Sequence, residues 1–215
     1  DTLEISLDKL SIADLRQVSD YLDLYGIWGN MYAKHNNQKM SFLKETANEE
    51  FHGILLGLLK SPQVERRLSA FFSDMKNSNT LLVNVVAILC LSMSNITAPT
   101  LHMVAALTDS NEIFNRSFRE NEVFKQLTSR NNDTVIAKSS ALAEFILTTF
   151  PNPTLLVETL VTIAKNARAK SDGNRLYFNF YKDLASFRYI QKMLPKKGKR
   201  ESLILFYQGL REIPE

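Results

Sequence analysis

The chain has 215 residues, 45% of them hydrophobic, with seven glycines, six prolines and a single cysteine. That length allows one or two domains with a sizeable core, and so few glycines and prolines argue against a turn-rich β fold. The formal charge of +3 is unevenly spread: from Pro151 onward there are 12 Lys and Arg against 6 Asp and Glu, while the first 150 residues carry 14 against 17. A lone cysteine excludes a disulfide framework, and no apolar run reaches the roughly 18–20 residues of a spanning helix.

In chain order, Ser11 with Asp14 three residues on is the acidic form of a capping box. Ile12, Leu15, Val18, Tyr21 and Leu22 follow at helical spacing, and Gly26 is read as the stop. Further helices are predicted from Gln38 to Thr46, from Asn48 to Pro62 and from Gln63 to Met75. Asn77-Ser78-Asn79 is a polar break. Thr80 to Met93 is apolar nearly all round, the mark of a helix buried in the middle of its domain, and it holds Cys90. Cys90 is read as a small core residue of a reducing compartment. Helices are then predicted over Ala98–Thr108, Asn111–Arg119 and Asn121–Ser129.

Asn131-Asn132 is a turn signal, Thr134 to Ala137 is β-branched and apolar, and Ser139 opens an amphipathic helix running to Phe150. Helices, one β element and a helix in this order suit a winged-helix domain. Pro151 and Pro153 set off the last block, with helices expected over Thr154–Lys170, Asn174–Leu194 and Lys199–Arg211. The expected fold class is mainly α: a helical domain over 1–77, a winged-helix-like domain over 78–150 and a helical-repeat-like arm over 151–215.

Chemistry is sparse. His35, His52 and His102 lie far apart with no ligand-spaced neighbours, so no metal site is expected. The chain has no G-x-x-x-x-G-K-[ST], no G-x-S-x-G and no H-E-x-x-H, so no enzyme is expected within it. Two local features invite phosphate. Lys138 and Ser139 stand where the strand hands over to the helix, a helix N-terminus able to face a nucleotide from a neighbouring domain; on local chemistry alone the N-cap is the preferred reading of Ser139. Lys196, Lys197, Lys199 and Arg200 form a basic turn, either a phosphate contact or a solvated connection between helices.

Five stretches carry a resemblance. L-S-I-A-D-L-R-Q-V-S-D-Y-L-D-L-Y-G, with Leu10, Leu15 and Leu22, resembles the helix that follows the ATPase core in bacterial STAND NTPases, relatives of the animal and plant NLR proteins. N-E-E-F-H-G-I-L-L-G-L-L-K-S-P resembles their next helix, N-T-L-L-V-N-V-V-A-I-L-C-L the first winged-helix segment, and I-A-K-S-S-A-L-A-E-F-I-L its closing strand–helix step. S-F-R-Y-I-Q-K-M-L-P-K-K-G-K-R-E-S-L-I-L-F-Y-Q-G-L-R is similar to helices after the winged helix in antiphage-defence members. NLR-type proteins place a phosphate-sensing histidine where this chain has Ser139, preceded by Lys138.

The resemblance implies a non-catalytic regulatory segment of a cytoplasmic antiviral-defence protein. An ATPase and effector would lie elsewhere in the same polypeptide, the upstream nucleotide-binding domain being the main partner. The segment holds no cofactor of its own, and ATP or ADP would be met only through that neighbour. A protein trigger would drive homo-oligomerisation; neither nucleic acid nor a membrane is the expected partner. The alternatives are a nucleic-acid-binding winged helix with a basic helical tail and a helical protein–protein scaffold.

Overall fold

A computed structural model describes residues 10–24, 28, 31, 33–46, 54, 62–94, 96 and 99–213. The described residues are mainly helical, with one two-stranded antiparallel sheet. The chain divides into two compact units, residues 1–70 and 71–215.

In the first unit, α1 (Ile12–Leu24) begins as its sequence predicts. The Ser11 hydroxyl accepts from the Asp14 N–H at 3.2 Å, and the Asp14 carboxylate accepts from the Ser11 N–H at 2.9 Å. The serine hydroxyl also donates to that carboxylate, and these bonds hold the Asp14 pKa below its ordinary value. The helix expected over Gln38–Thr46 forms as α2 (Asn36–Ser41) followed by a π turn over Phe42–Thr46. Leu15, Leu22, Trp28, Leu43 and Ile54 are its buried core. Beside them Lys39 is nearly fully buried, paired with Asp23 and lying 5.1 Å from the Trp28 ring centroid. Asp23 also accepts from the Trp28 indole N–H at 2.9 Å, so one carboxylate satisfies two buried donors. The expected stop at Gly26 and, apart from Ile54 and Pro62, the helix expected from Asn48 to Pro62 lie outside the described residues.

The helix α3 (Pro62–Asn77) runs across the division between the units. Within the second unit its Phe72 packs edge-on against Phe150, with ring centroids 5.1 Å apart. Ser78 caps α4 (Asn79–Met93), and every residue from Leu81 to Leu91 except Val83 is buried. Thr100 caps α5 (Leu101–Thr108). A 3-10 turn at Glu112–Phe114 and the single-turn α6 (Arg116–Arg119) replace the helix expected over Asn111–Arg119.

The helix expected over Asn121–Ser129 is shorter, α7 (Glu122–Leu127), because its last residues become a strand. Strand β1 (Thr128–Asn131) pairs antiparallel with β2 (Thr134–Ala137), Thr128 opposite Ala137 and Asn131 opposite Thr134. Asn132 turns the hairpin with φ 51, a left-handed conformation that asparagine tolerates. Thr100 adds an antiparallel bridge to Thr134 on the other side of β2, with the Val135 N–H donating to the Pro99 carbonyl at 2.9 Å. Pro99 therefore lies in an extended segment ahead of α5, where the sequence suggested the helix's first turn. Along β2, Val135 and Ala137 face inward and Ile136 outward, the period-2 alternation of a half-buried strand.

Ser139 caps α8 (Ser140–Thr148) and Asn152 caps α9 (Pro153–Ala169). The helix expected over Asn174–Leu194 is broken into α10 (Arg175–Ala185) and α11 (Phe187–Met193). The break falls at Ser186, which leaves helical geometry at ψ 130, and its hydroxyl accepts from the Tyr189 N–H at 3.4 Å, capping the helix that follows. The last helix, α12 (Lys199–Arg211), follows Gly198 at φ 69.

The divisions expected at 77/78 and 150/151 do not coincide with the compact units. Helix α9 packs against α4 and α5 as well as α10 and α12, so the helices after Pro151 share a core with those before it. The Asn166 amide strengthens this join by donating to the Leu107 carbonyl at 2.8 Å.

At the crossing of α9 and α12, a Cβ added to Gly209 would lie 2.7 and 2.9 Å from the two Val161 methyls. Alanine is the better helix former by about 1 kcal/mol, but the branched valine has little rotamer freedom with which to yield. Gly209→Ala is expected to destabilise the protein by about 1–3 kcal/mol, the usual cost of overpacking. Combining it with Val161→Ala should recover part of that loss in a urea-denaturation double-mutant cycle.

Candidate functional site

Polar and nucleophilic groups around α4 are committed to structure. The Ser92 hydroxyl donates to the Ile88 carbonyl and accepts from the Ala137 N–H, each at 2.7 Å, tying α4 to β2. The buried Asn84 amide donates to the Thr80 carbonyl at 2.9 Å. Cys90 is fully buried, with its sulfur 3.8 Å from that of Met193, and burial pushes the thiol pKa far up. The phenol of Tyr189 on α11 donates to the Cys90 carbonyl. Its pKa is also driven up, by burial first and then by Cys90 and the Asp183 carboxylate. Burial thus favours the neutral form of both groups.

The two sequence-predicted sites lie on different elements. At the junction of β2 and α8, the Lys138 side chain is exposed and its N–H donates to the Leu127 carbonyl at 3.0 Å. The Ser139 hydroxyl accepts from the Leu142 N–H at 3.1 Å. Ser139 thus acts as the N-cap. At the turn between α11 and α12, Lys196, Lys197 and Arg200 are exposed and Lys199 is half-buried. No hydrogen bond or ion pair joins the two sites.

The structure adds a neighbourhood that the sequence reading did not single out. Arg188 and Lys192, one turn apart on α11, line a shallow open groove with Asp183, Ser186, Tyr189 and Met93. Their spacing of four residues was the available signal, but the break at Ser186 sets which side of α11 is outward. The exposed rings of Phe178 and Phe187 lie on the same two helices, half or more exposed.

Among the described residues no group of His, Cys, Asp and Glu side chains is placed to hold a metal ion. None of their helices is long and apolar enough to cross a membrane. No protein-family model, curated protein or solved structure matches the chain.

Two outcomes test these assignments. Ser139→Ala should lower stability by about 0.5–2 kcal/mol in chemical denaturation, the cost of losing a helix cap, with Ser139→Asp largely restoring it. Cys90 should resist a thiol reagent such as dithionitrobenzoate in the native protein and react fully once the protein is unfolded in guanidinium.

Proposed function

We propose that the chain is a non-catalytic regulatory and interaction module of the STAND NTPase kind. It couples the sensing of a ligand to the nucleotide state and oligomerisation of an ATPase domain in the same polypeptide, in defence signalling. The reading rests chiefly on the order and pairing of elements in the second unit. A buried helix (α4), a one-residue bridge (Thr100), the helices α5 and α7 and a hairpin with β2 in the middle support a winged-helix reading of this unit. The packing of α9 onto α4 and α5 supports one body able to transmit a displacement from the later helices to the hairpin. The inward commitment of Cys90, Tyr189 and Ser139 supports action through surfaces.

In such a module Lys138, at the foot of the hairpin, is the residue available to a phosphate held by the nucleotide domain. With the Ser139 hydroxyl occupied as a cap, any contact there is through the lysine's charge.

A second reading, a duplex-DNA reader using the winged helix, is disfavoured by charge. The third helix, α7, exposes Lys125 and Gln126, and Lys125 is paired with Glu120. Their hydrogen bond and mutual attraction raise the lysine pKa and lower that of the glutamate. The hairpin carries Arg130 but also Asp133. A major-groove reader concentrates positive charge on this helix.

The reading predicts that residues 1–215 neither bind nor hydrolyse Mg-ATP in calorimetric and phosphate-release assays. It also predicts that the parent reading frame encodes a G-x-x-x-x-G-K-[ST] loop upstream. Turnover abolished by Lys138→Ala, or a parent frame without that loop, would overturn it.

A further inference from the structure

We propose that the outward face of α10 and α11, continued by the turn into α12, binds single-stranded nucleic acid through its phosphates and bases together. This goes beyond the regulatory reading and does not rest on it.

Each helix has one side spent on the core. On α10, Phe180 and Leu184 are fully buried, while Arg175, Phe178, Asn179 and Lys182 are exposed. Those four fall at i, i+3, i+4 and i+7, along one side of the helix. On α11, Ile190 and Met193 are buried, while Phe187, Arg188 and Lys192 are exposed. Phe178 is 50% and Phe187 59% exposed, unusual for phenylalanine. On α10 the exposed ring of Phe178 thus lies between Arg175 and Lys182 with an amide at Asn179, and on α11 exposed Phe187 adjoins Arg188, which shares a groove with Lys192.

The charge is one-sided. From Arg175 to Arg200 there are eight Lys and Arg and one acid, Asp183. Among the described residues, none of the eight takes part in an ion pair; the pairs there engage Lys39, Lys125, Lys165 and Arg168. A row of unpaired cations matches the regular negative charge of a phosphate backbone, and its binding releases condensed counterions.

The exposed rings decide between polyanions. A duplex keeps its bases stacked inside and offers phenylalanine nothing to stack on, whereas a single strand presents base faces to any exposed ring. An anionic membrane surface requires an apolar face available for insertion opposite a basic one. On α10 and α11 Phe180, Leu184, Ile190 and Met193 are buried in the protein, and the apolar side chains left exposed, Leu176 and the two rings, stand singly among the charges. An acidic protein would use the cations but not the spacing of rings between them.

The test is fluorescence anisotropy of the full chain with a labelled oligothymidylate or oligouridylate of about 20 nucleotides, titrated at several salt concentrations. Tight binding at low salt that weakens as salt rises is expected. Arg188→Gln with Lys192→Gln should reduce the slope of log affinity against log salt by about 1–1.5, near 0.7 per lost phosphate contact. Phe178→Ala and Phe187→Ala should each weaken binding by about 5–150-fold per lost stacked base with the slope unchanged. All four side chains are exposed, so thermal unfolding followed by circular dichroism should be unaltered. The proposal is overturned by no binding at low salt, by equal affinity for the corresponding duplex or for polyglutamate, by preferential binding to phosphatidylserine vesicles, or by phenylalanine variants that bind as the wild type does. None of these outcomes bears on whether an ATPase domain lies upstream.

Discussion

Helix α4 is apolar on every side, and a helix of that kind must be enclosed on every side. Seven of its residues, Leu81, Leu82, Val85, Val86, Ile88, Leu89 and Leu91, are large aliphatics at or near complete burial. Burying each is worth about 1.5–3 kcal/mol, so the helix represents roughly 10–20 kcal/mol of gross hydrophobic stabilisation, as an upper estimate. That is comparable with the net stability of a whole domain. The second unit is accordingly a set of covers: α5, β2, α8 and α9 all pack against it. Sequence-distant segments are fixed around this helix because no shorter part of the chain can bury it.

The same constraint governs the polar groups. An apolar interior leaves backbone donors and acceptors that must find partners, and single side chains supply them. The Ser92 hydroxyl satisfies the Ala137 N–H, Asn166 satisfies the Leu107 carbonyl, and Tyr189 gives the Cys90 carbonyl a second donor beside the Ser94 N–H. Each side-chain bond also joins elements far apart in sequence, so it sets their register as well as meeting a hydrogen-bonding requirement. Groups that on a surface could do chemistry are used here as struts.

The sequence was most legible where one local signal acted alone. Ser11 with Asp14, Ser139, and the limits of α4 and α12 lie as their caps and periodicity predict, because capping and amphipathicity are properties of a few adjacent residues. Strand β1 was missed because T-S-R-N is polar and lacks alternation; it is a strand only because β2 pairs with it. The break at Ser186 was missed because aromatic residues continue at helical spacing through it. The serine caps the helix that follows, accepting from the Tyr189 N–H. The boundary expected at Pro151 followed two prolines that do end one helix and begin another. Whether the helices on either side share a core is a long-range fact, carried by contacts such as Asn166 with Leu107. Among candidate sites, the basic turn was visible as a run, whereas the groove holding Arg188 and Lys192 required knowing which side of α11 faces outward.

The placement of positive charge in the last helices is not explained by stability. Cations near a helix C-terminus are favoured by its dipole, and Lys182 and Lys192 at the ends of α10 and α11 fit that pattern. Lys199 and Arg200 do not: they occupy the first turn of α12, where the dipole disfavours a cation by about 0.3–1 kcal/mol each. Glu201 offsets part of this, but Lys196 and Lys197 add to it from the preceding turn. Arg188 and Lys192, four residues apart on α11, repel one another by a few tenths of a kcal/mol where an acid would attract. A chain selected for stability alone would carry glutamates at several of these positions. Within the fold Asp183, in the same groove as Arg188 and Lys192, is the acid set against this charge, and the phosphates of the proposed single strand would offset the remainder.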